Sequence, residues 1–420
     1  MNVKAPRGTN DILPPLSLQW QYVEKVYRDL MAVYNYHEAR TPIFEYTELF
    51  QRGIGDTTDV VEKEMYTFTD KGGRSVTLRP EGTASIVRAF MENKLYGQSL
   101  PVKFYYIGPM FRYERPQAGR FRQFHQLGVE VFGSNDPALD AEVIILGINY
   151  LNKLGLKNLQ LYINSIGCPE CRKEYFRVFR TYLEDYHDVL CKDCQGRLER
   201  NPMRILDCKE ESCSKAVKEA PRVLDYLCDD CREHFEEVKV YLNNLGLDYI
   251  IDPNIVRGLD YYTNTVFEVK YAGLGAQDTV LAGGRYNGLA EELGGKAVPG
   301  VGFAMGMERL MLTLEKESAE LPGEPDLDLF IVTIGDKAKK AAFKYIYQLR
   351  NKGYISEIDY MERSVKSQMK AADRMNAKYT VILVEDELCK GKAILKNMQN
   401  GEQMEISLDN LVEEIEEYIK

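Results

Sequence analysis

The chain has 420 residues, of which 45% are hydrophobic, and this is enough for two or three globular domains with ordinary cores. Its formal net charge of -10 argues against a protein that coats nucleic acid in general, so an RNA ligand would have to meet local basic patches. The opening MNVKAPRGTN has no apolar stretch and no run approaches the length of a membrane span. We therefore expect a soluble, cytoplasmic protein without a signal peptide.

The first predicted elements are a helix, an extended segment and a turn. Apolar residues at helical spacing predict a helix over Leu16–Tyr36, and Pro42 opens an extended segment. In TLRPEGT, a strand is expected to end in a turn that presents Glu81 and Thr83 together, and a carboxylate beside a hydroxyl suits an ammonium group. The simpler alternative is an ordinary loop in which Thr83 caps the next helix.

The segment from 104 to 133 predicts two strands joined by a basic loop. The two-residue period places Met110, Arg112 and Glu114 on one face of the first strand. The second strand presents one mixed polar face, Phe124, Gln126, Gly128 and Glu130, and one apolar face, Leu127, Val129 and Val131. The polar patch suits a ligand with both a phosphate and an amine, although a half-exposed hairpin with solvated charges is the alternative.

The middle of the chain changes character twice. A helix is predicted over 140–154, and residues 165–247 read as mostly helical and hold eight of the nine cysteines. The strand-rich pattern returns over 252–314, so a first domain, 1–164 and 248–318, is interrupted by a helical insertion, 165–247.

The strand GVGFAMG has an unusual face. Gly300, Gly302, Ala304 and Gly306 lie on one side of it, which leaves a floor where a flat ligand can rest against the backbone. A strand closely covered by a helix would need the same small residues. After an acidic linker over 316–326, alternating strands and helices predict an α/β domain over 327–420.

Taken together, TLRPEGT, the 104–133 hairpin and GVGFAMGMERL resemble the class II aminoacyl-tRNA synthetases. PRGTNDILP at 6–14, RGLDYYTNTVFEV at 257–269 and AGGRYNGL at 282–289 are similar to the histidyl-tRNA synthetase family, and the resemblance covers nearly the whole chain. It implies an α+β catalytic domain with a mainly antiparallel sheet, the helical insertion, and a C-terminal α/β domain that binds the anticodon. It also implies a homodimer, built through the first helix and the strand after it.

The implied reaction is the ATP-dependent activation of L-histidine to histidyl-adenylate, followed by transfer of histidine to the 3′ end of histidine tRNA. Both reacting groups are anionic, so the site must supply positive charge, and arginine suits this because it is always ionised. The resemblance gives the catalytic role to Arg112, Arg257 and Arg309.

The resemblance also implies the substrate contacts. The histidine-binding set is Glu81, Thr83, Arg112, Gln126, Glu130, Arg257, Tyr261 and Tyr262. Within it, Glu81, Thr83 and Gln126 would hold the ammonium, and Glu130 with Tyr262 the imidazole, although the two tyrosines could be ordinary core residues. The ATP-binding set is Arg112, Glu114, Phe124 and Arg309, with Mg²⁺ on the phosphates. His125 is expected to be structural.

Two groups are tRNA-contact candidates. In the hairpin loop, Arg115 and Gln117 are the candidates for reading an extra guanosine, and Arg120 could serve tRNA or ATP. In the C-terminal domain Lys366, Lys370, Arg374 and Lys378 recur every four residues. They could face tRNA phosphates, although a solvated helix face is the favoured alternative.

The cysteines predict a separate metal site. Cys168, Cys171, Cys191 and Cys194 form two C-x2-C pairs separated by nineteen residues, which is typical of a four-cysteine zinc site. Cys208, Cys213, Cys228 and Cys231 could form a second site, free thiols are an equal alternative, and Cys389 is expected to be a packing residue.

Two other functions share this resemblance. The regulatory subunit of ATP phosphoribosyltransferase resembles the catalytic domain but lacks the anticodon-binding domain and has degraded motifs. A synthetase-like sensing module of a stress kinase would be joined to a kinase sequence. Intact arginines and the C-terminal domain favour the ligase over both.

Overall fold

A computed structural model describes residues 3–55, 58–275 and 278–419 of the chain. The chain divides into two compact units, Met1–Leu321 and Pro322–Lys420. Among the described residues, no helix combines the length and the apolar character that crossing a membrane requires. The first unit is the α+β domain expected from the sequence, and the second is the expected α/β domain.

The first unit is built on an eight-stranded sheet in the order β1-β5-β6-β11-β10-β9-β7-β8, with a small sheet β2-β4-β3 beside it. Its strands are β1 (His37–Glu38), β2 (Phe44–Tyr46), β3 (Tyr66–Thr69), β4 (Ser75–Leu78), β5 (Val102–Phe111), β6 (Gln123–Phe132), β7 (Leu159–Ser165), β8 (Ile250–Ile251), β9 (Thr263–Tyr271), β10 (Thr279–Arg285) and β11 (Gly300–Gly306). Only the β1–β5 and β7–β8 pairs are parallel, so the large sheet is mainly antiparallel as predicted.

Ten α-helices are assigned among the described residues of this unit. They are α1 (Leu16–Val33), α2 (Thr47–Ile54), α3 (Thr83–Glu92), α4 (Pro137–Lys153), α5 (Pro169–Glu184), α6 (Lys192–Arg200), α7 (Glu211–Val217), α8 (Asp229–Asn244), α9 (Leu289–Glu292) and α10 (Met307–Lys316). Val60–Glu64 form a π-helix, and short 3-10 helices cover Leu95–Gly97, His187–Val189, Pro202–Ile205, Val223–Tyr226 and Ala272–Leu274.

The two faces of the large sheet have different tasks. Leu127, Val129 and Val131 of β6 are fully buried in the main core, where they join the apolar faces of α1, α4 and α10. The face predicted from the two-residue period is therefore correct, and the opposite face, with Gln126 and Glu130, is free to form a site.

The segment between β7 and β8 is helical, as expected, but its last helix is part of the main hydrophobic core. Phe235, Val238 and Leu242 of α8 are buried in the main core beside α4. A buried ion pair fixes the same region, because Arg285 of the AGGRYNGL motif is fully buried and pairs with Asp140 of α4. Both charges are desolvated, so removing either partner would leave the other charge buried and unpaired.

The second unit has a five-stranded sheet in the order β13-β12-β14-β15-β16. Its elements are β12 (Leu329–Ile334), α11 (Asp336–Asn351), β13 (Ser356–Ile358), α12 (Val365–Arg374), β14 (Tyr379–Val384), α13 (Glu385–Leu388), β15 (Lys392–Asn397), β16 (Gln403–Ser407) and α14 (Leu411–Ile419). The sequence analysis missed the hairpin β15–β16, although its Asn400-Gly401 turn is a strong hairpin signal. The predicted basic row is shorter than expected, because Lys378 follows α12 and its Nζ lies 2.8 Å from Asp328 Oδ1.

Candidate active site

The polar face of the large sheet borders an open cavity of about 520 Å³. Arg112, Arg257 and Arg309 all line it, although they come from three distant parts of the chain. Phe124, Gln126 and the Ala304–Gly306 end of β11 contribute to its wall. The cavity therefore brings together the three arginines that the sequence assigned to catalysis.

Arg112 is held at the end of β5 by its neighbours. Its Nε donates a hydrogen bond of 2.8 Å to the carbonyl oxygen of Pro80, in the TLRPEGT turn. Its guanidinium carbon lies 5.5 Å from the centre of the Phe124 ring. The Glu114 carboxylate lies farther away, with Oε1 3.8 Å from Nη1 of Arg112, so this ion pair is loose.

Arg257 lies in the loop before β9 and forms a close ion pair with Glu268. Glu268 also accepts a 3.0 Å hydrogen bond from Thr279 Oγ1 and lies 3.5 Å from Lys270 Nζ. Burial is the largest single influence on Arg257 and opposes its charge, but the Glu268 carboxylate, Tyr262, Tyr261 and Asp207 together outweigh burial and raise the pKa of the guanidinium. Its Nε is buried and has no hydrogen-bond partner among the described residues, so one donor is left unsatisfied.

Arg309 lies in the first turn of α10, directly after the glycine-rich strand. Its Nη1 donates a 2.9 Å hydrogen bond to the carbonyl oxygen of Thr279. Burial, with the positive charge of Arg120 as a second cause, lowers the pKa of Arg309 from its ordinary value. An anion bound between these two arginines would relieve that repulsion.

The floor predicted on β11 exists only at one end. At Gly306 a Cβ would meet nothing closer than 4.0 Å, and Ala304 and Gly306 line the cavity. At the other end a Cβ on Gly300 would lie 2.3 Å from the Tyr286 ring, and one on Gly302 2.3 Å from Glu130 Oε2. The prediction of a continuous bare shelf is therefore wrong, because these two glycines make room for protein side chains.

Beside the cavity lies a buried polar cluster centred on Glu130, called the Glu130 pocket below. Thr83 Oγ1 donates a 2.6 Å hydrogen bond to Glu130 Oε1, and the hydroxyl of Tyr286 donates to Oε2. Burial raises the pKa of Glu130 to about 8, the nearby carboxylate of Glu81 adds to the effect, and the two hydroxyl donors oppose it. Glu130 can therefore hold a proton near neutral pH and responds to any cation placed beside it.

Glu81 has a structural task in addition to the one predicted. Its two carboxylate oxygens accept hydrogen bonds from the backbone N–H groups of Thr83, at 2.7 Å, and Ala84, at 2.8 Å. The alternative in which Thr83 caps α3 is wrong, because Glu81 satisfies these N–H groups and the Thr83 hydroxyl turns to Glu130. Burial nevertheless raises the pKa of Glu81.

A cluster of tyrosines closes the pocket. The Tyr261 and Tyr262 rings are 4.6 Å apart, and both approach Tyr286, at 5.7 and 6.5 Å. It is Tyr286, which the sequence analysis did not select, whose hydroxyl reaches Glu130. The signal was its place in AGGRYNGL. Gln126 Oε1, also predicted for this pocket, is buried without a hydrogen-bond partner in the described part of the chain.

The ring of Tyr106 fills a socket next to Glu130 made by two glycines. A Cβ on Gly82 would lie 2.4 Å from this ring, and one on Gly128 2.3 Å from it. Because these distances are far below van der Waals contact, both positions require glycine for close approach.

The remaining predicted residues lie outside the pocket or at its edge. Glu114 and Phe124 line the cavity, and Arg120 lines it as well, with Nη1 3.1 Å from Glu114 Oε2. This favours the ATP alternative for Arg120. Arg115 and Gln117 are exposed on the hairpin loop, and Lys366, Lys370 and Arg374 are exposed on α12. His125 is structural in its contacts, since it packs edge-on against Trp20 and contacts Glu308.

The cysteines group differently from the prediction. One cluster contains Cys168, Cys171, Cys228 and Cys231, and the other Cys191, Cys194, Cys208 and Cys213. The predicted set of Cys168, Cys171, Cys191 and Cys194 is therefore wrong. The insertion folds back on itself, so the first cysteine pair meets the last pair. Cys389 is exposed and is not a packing residue.

Comparison with known proteins agrees with this geometry. A family model described as Histidyl-tRNA synthetase matches residues 8–310, and one described as Anticodon binding domain matches residues 328–418. The Histidine--tRNA ligase of Halothermothrix orenii is 65% identical over 419 residues and that of Caldanaerobacter subterraneus subsp. tengcongensis 56% over 420, each with 100% of both chains covered. The crystal structure of the apo S. aureus histidyl-tRNA synthetase has a TM-score of 0.84 and 46% identity, and covers 99% of this chain and 100% of its own. The chain belongs to the histidyl-tRNA synthetase family.

Proposed function

We propose that this chain, a class II aminoacyl-tRNA ligase that uses ATP, histidine and histidine tRNA, activates histidine in the arginine-lined cavity and recognises its side chain in the pocket around Glu130. The observation that carries the proposal is a pair of buried polar atoms, Arg257 Nε and Gln126 Oε1, on residues that line the cavity. Neither has a protein partner within the described residues. Unpaired buried groups are costly unless a ligand satisfies them.

The arginines divide the charge of the reaction. Arg112 contacts the α-phosphate and the attacking carboxylate, Arg257 contacts the same phosphate, and Arg309 holds the γ-phosphate end. Their guanidinium groups are fixed in advance by Pro80, Glu268 and Thr279, in that order. Donors that are already oriented stabilise the charge of the transition state without reorganising during the reaction.

Recognition of histidine rests on buried hydrogen-bonding groups. The ammonium meets Glu81, Thr83 and Gln126, and the imidazole meets Glu130 and the tyrosine cluster, to which we add Tyr286. An amino acid without two ring nitrogens would leave Glu130 or a tyrosine hydroxyl unpaired, which is the strongest form of discrimination available to a pocket.

The adenine of ATP stacks on Phe124, and Glu114 reads its edge. A carboxylate on the cavity wall that has no other role in this proposal, Asp278, fits Mg²⁺, which prefers oxygen ligands and keeps several waters. The metal would neutralise phosphate charge when it enters with ATP. The zinc expected from the cysteines would be held in the insertion and not in this cavity.

The other partners occupy separate surfaces. The second unit, proposed as a domain over 327–420, would contact the tRNA anticodon, and Arg115 and Gln117 its acceptor end. We assign the chain to the cytoplasm, where its tRNA is. In the first unit, residues 1–164 and 248–318 form the catalytic domain and 165–247 the insertion.

A homodimer is supported by an exposed aromatic surface on the small sheet. Phe44 and Tyr46 of β2 and Phe68 of β3 are each about half exposed, which is unusual for such large apolar side chains. Light scattering on a size-exclusion column should give twice the chain mass, and the Phe44→Glu, Tyr46→Glu variant should give a monomer. Phe343→Glu, at an exposed aromatic residue of the second unit, is the matched control.

The direct test of the function is ATP–pyrophosphate exchange, followed by charging of histidine tRNA. Exchange should depend on histidine and should not occur with glutamine or phenylalanine. Purified chain that binds histidine but neither exchanges pyrophosphate nor charges tRNA would support a sensing module or a regulatory subunit, and would overturn the proposal.

A further inference from the structure

We propose that the helical insertion binds two structural zinc ions, each held by four cysteine thiolates. The outer site is Cys168, Cys171, Cys228 and Cys231, and the inner site is Cys191, Cys194, Cys208 and Cys213. No step of the ligase reaction uses either ion, so the inference goes beyond the proposed function. It rests on positions of the sulfur atoms and not on the spacing of the sequence.

The sulfur atoms have the separation of a tetrahedral metal site. In each cluster all four lie within 4.8 Å of one another. The Cys168 and Cys171 sulfurs are 3.5 Å apart, and those of Cys191 and Cys208 are 3.9 Å apart. Four ligands at about 2.3 Å around zinc are separated by about 3.8 Å, whereas a disulfide requires about 2.05 Å. The distances therefore fit a metal ion and not a pair of disulfides.

All three C-x2-C pairs lie at the starts of helices. Cys168, Cys191 and Cys228 are the residues immediately before α5, α6 and α8, and the second cysteine of each pair lies in the first turn. The first turn of a helix carries partial positive charge, which would help to offset the negative charge of four thiolates around a bound ion. This placement gives both sites sulfur atoms that are prepared to bind a cation.

Backbone amides supply a second layer around the sulfurs. The N–H of Cys228 donates to Cys171 Sγ at 3.1 Å, and that of Cys191 donates to Cys213 Sγ at 3.2 Å. In the outer site Asn264 Nδ2 also lies 3.5 Å from Cys231 Sγ. Donors of this kind orient metal-bound thiolates and offset part of their charge.

The two sites are nested, and each touches a different part of the catalytic unit. The outer site joins the N-termini of α5 and α8 next to Asn264 of β9, and Arg172 of α5 donates a 2.9 Å hydrogen bond to the carbonyl of Tyr262. The inner site anchors α6, whose Arg197 and Arg200 pair with Asp59 at 3.1 Å and Glu62 at 2.6 Å. The metal ions would therefore brace the insertion against the histidine pocket and against the segment before β3.

The test is metal content and thiol content of the full-length chain, purified without chelators from cells grown with added zinc. Mass spectrometry of the metals should give two zinc ions per chain and little iron. Titration with a mercurial should release one zinc for every four thiols, and X-ray absorption should show four sulfur neighbours at about 2.3 Å. These measurements need no variant, so they stand even if the substituted proteins do not fold.

Substitutions assign the ions to the sites. Cys231→Ser should lower zinc from two to one per chain, Cys194→Ser should do the same, and the double variant should retain none. Cys389→Ser, at an exposed cysteine outside both clusters, should keep two. Zinc-free wild-type protein with nine reactive thiols, or with one reactive thiol and eight in disulfides, would overturn the proposal. So would iron in place of zinc.

Discussion

The arginine-lined cavity and the Glu130 pocket adjoin each other but place their charged groups in different surroundings. In the cavity, Arg257 and Glu268 form an ion pair whose side chains remain 18% and 14% exposed, so the pair keeps contact with solvent. In the pocket, Glu130 is only 1% exposed, is surrounded by hydroxyl groups, and has a pKa of about 8. The proposed ATP site therefore uses partly solvated arginines, whereas the proposed histidine site uses a buried carboxylate whose protonation depends on the charges beside it.

The largest effect should come from the cavity. Arg257→His removes a permanently charged donor beside the α-phosphate, and loss of one well-aimed donor typically costs about 10²–10³ in rate. We expect ATP–pyrophosphate exchange to fall by that order while circular dichroism and Tm show a folded chain. Arg177→His is the control, because Arg177 also pairs with a glutamate but is exposed on α5. Near-normal exchange in Arg257→His would refute the division of charge.

The raised pKa of Glu130 in the pocket should make the stability of the chain depend on pH. The pKa of Glu130 is about 8 in the fold against an ordinary 4.5, so the native state binds a proton that the unfolded chain has released. The stability contributed by this proton is fully present below pH 4.5 and is lost as the pH rises through 8. Glu130→Gln cannot titrate, so its Tm relative to the parent should rise by several degrees between pH 5 and pH 9.

The matched control for this comparison is Glu184→Gln, at an exposed glutamate of α5. Its Tm should follow the parent at both pH values, because the Glu184 side chain is exposed on the helix surface. If Glu130→Gln also ran parallel to the parent, Glu130 would be an ordinary ionised carboxylate and the contrast between cavity and pocket would fail.

The exposed lysines of α12 are a third environment for charge, besides the cavity and the pocket. Lys366→Glu together with Lys370→Glu should weaken tRNA binding several-fold and flatten its salt dependence, because each lost phosphate contact removes about 0.7–0.9 from the slope of log K against log salt. Amino-acid activation should not change. Lys340→Glu with Lys344→Glu on α11 alters the net charge equally and should bind tRNA normally. Unchanged affinity of the α12 variant in filter binding would mean that this face is only solvated.

The smallest expected effect is a change in KM caused by substitutions in the insertion, and it should differ between the cavity and the pocket. The arginine-lined cavity has three wall residues next to Cys208 of the inner cluster, namely Leu206, Asp207 and Lys209. Cys194→Ser should therefore raise the KM for ATP a few-fold and leave the KM for histidine nearly constant. Cys231→Ser, in the outer cluster beside Asn264, should do the reverse. Equal changes in both KM values would show that the clusters act only through overall stability.

Much of the site could be predicted from the sequence. The two faces of β6 followed from a two-residue repeat, and family motifs brought the three arginines to one cavity. What local patterns could not supply were partners across the fold. Gly300 and Gly302 looked like an empty floor because nothing nearby in the sequence reveals that Tyr286 and Glu130 fill it. Tyr286 was missed for the same reason, since its contact with Glu130 joins residues 156 positions apart.

The predicted grouping of the cysteines was wrong for a different reason. The spacing predicted that two C-x2-C pairs that are neighbours in the sequence share one metal ion. This is correct where the two pairs are also neighbours in the fold. Here α5 and α8 start side by side, so Cys168 and Cys171 meet Cys228 and Cys231. The local pattern was right about the type of residue and wrong about which pairs meet, because that is decided by how the helices return.

The glycine socket around Tyr106 reverses the usual ranking of mutational severity. At Gly82 or Gly128 the smallest addition in protein chemistry, one methyl group, would overlap the ring at 2.4 or 2.3 Å, and the ring has no room to retreat beside Glu130. Genetic screens of this chain should therefore recover inactive alleles with glycine changed to alanine at these two sites. Those alleles would carry damage although neither position has a functional group to lose.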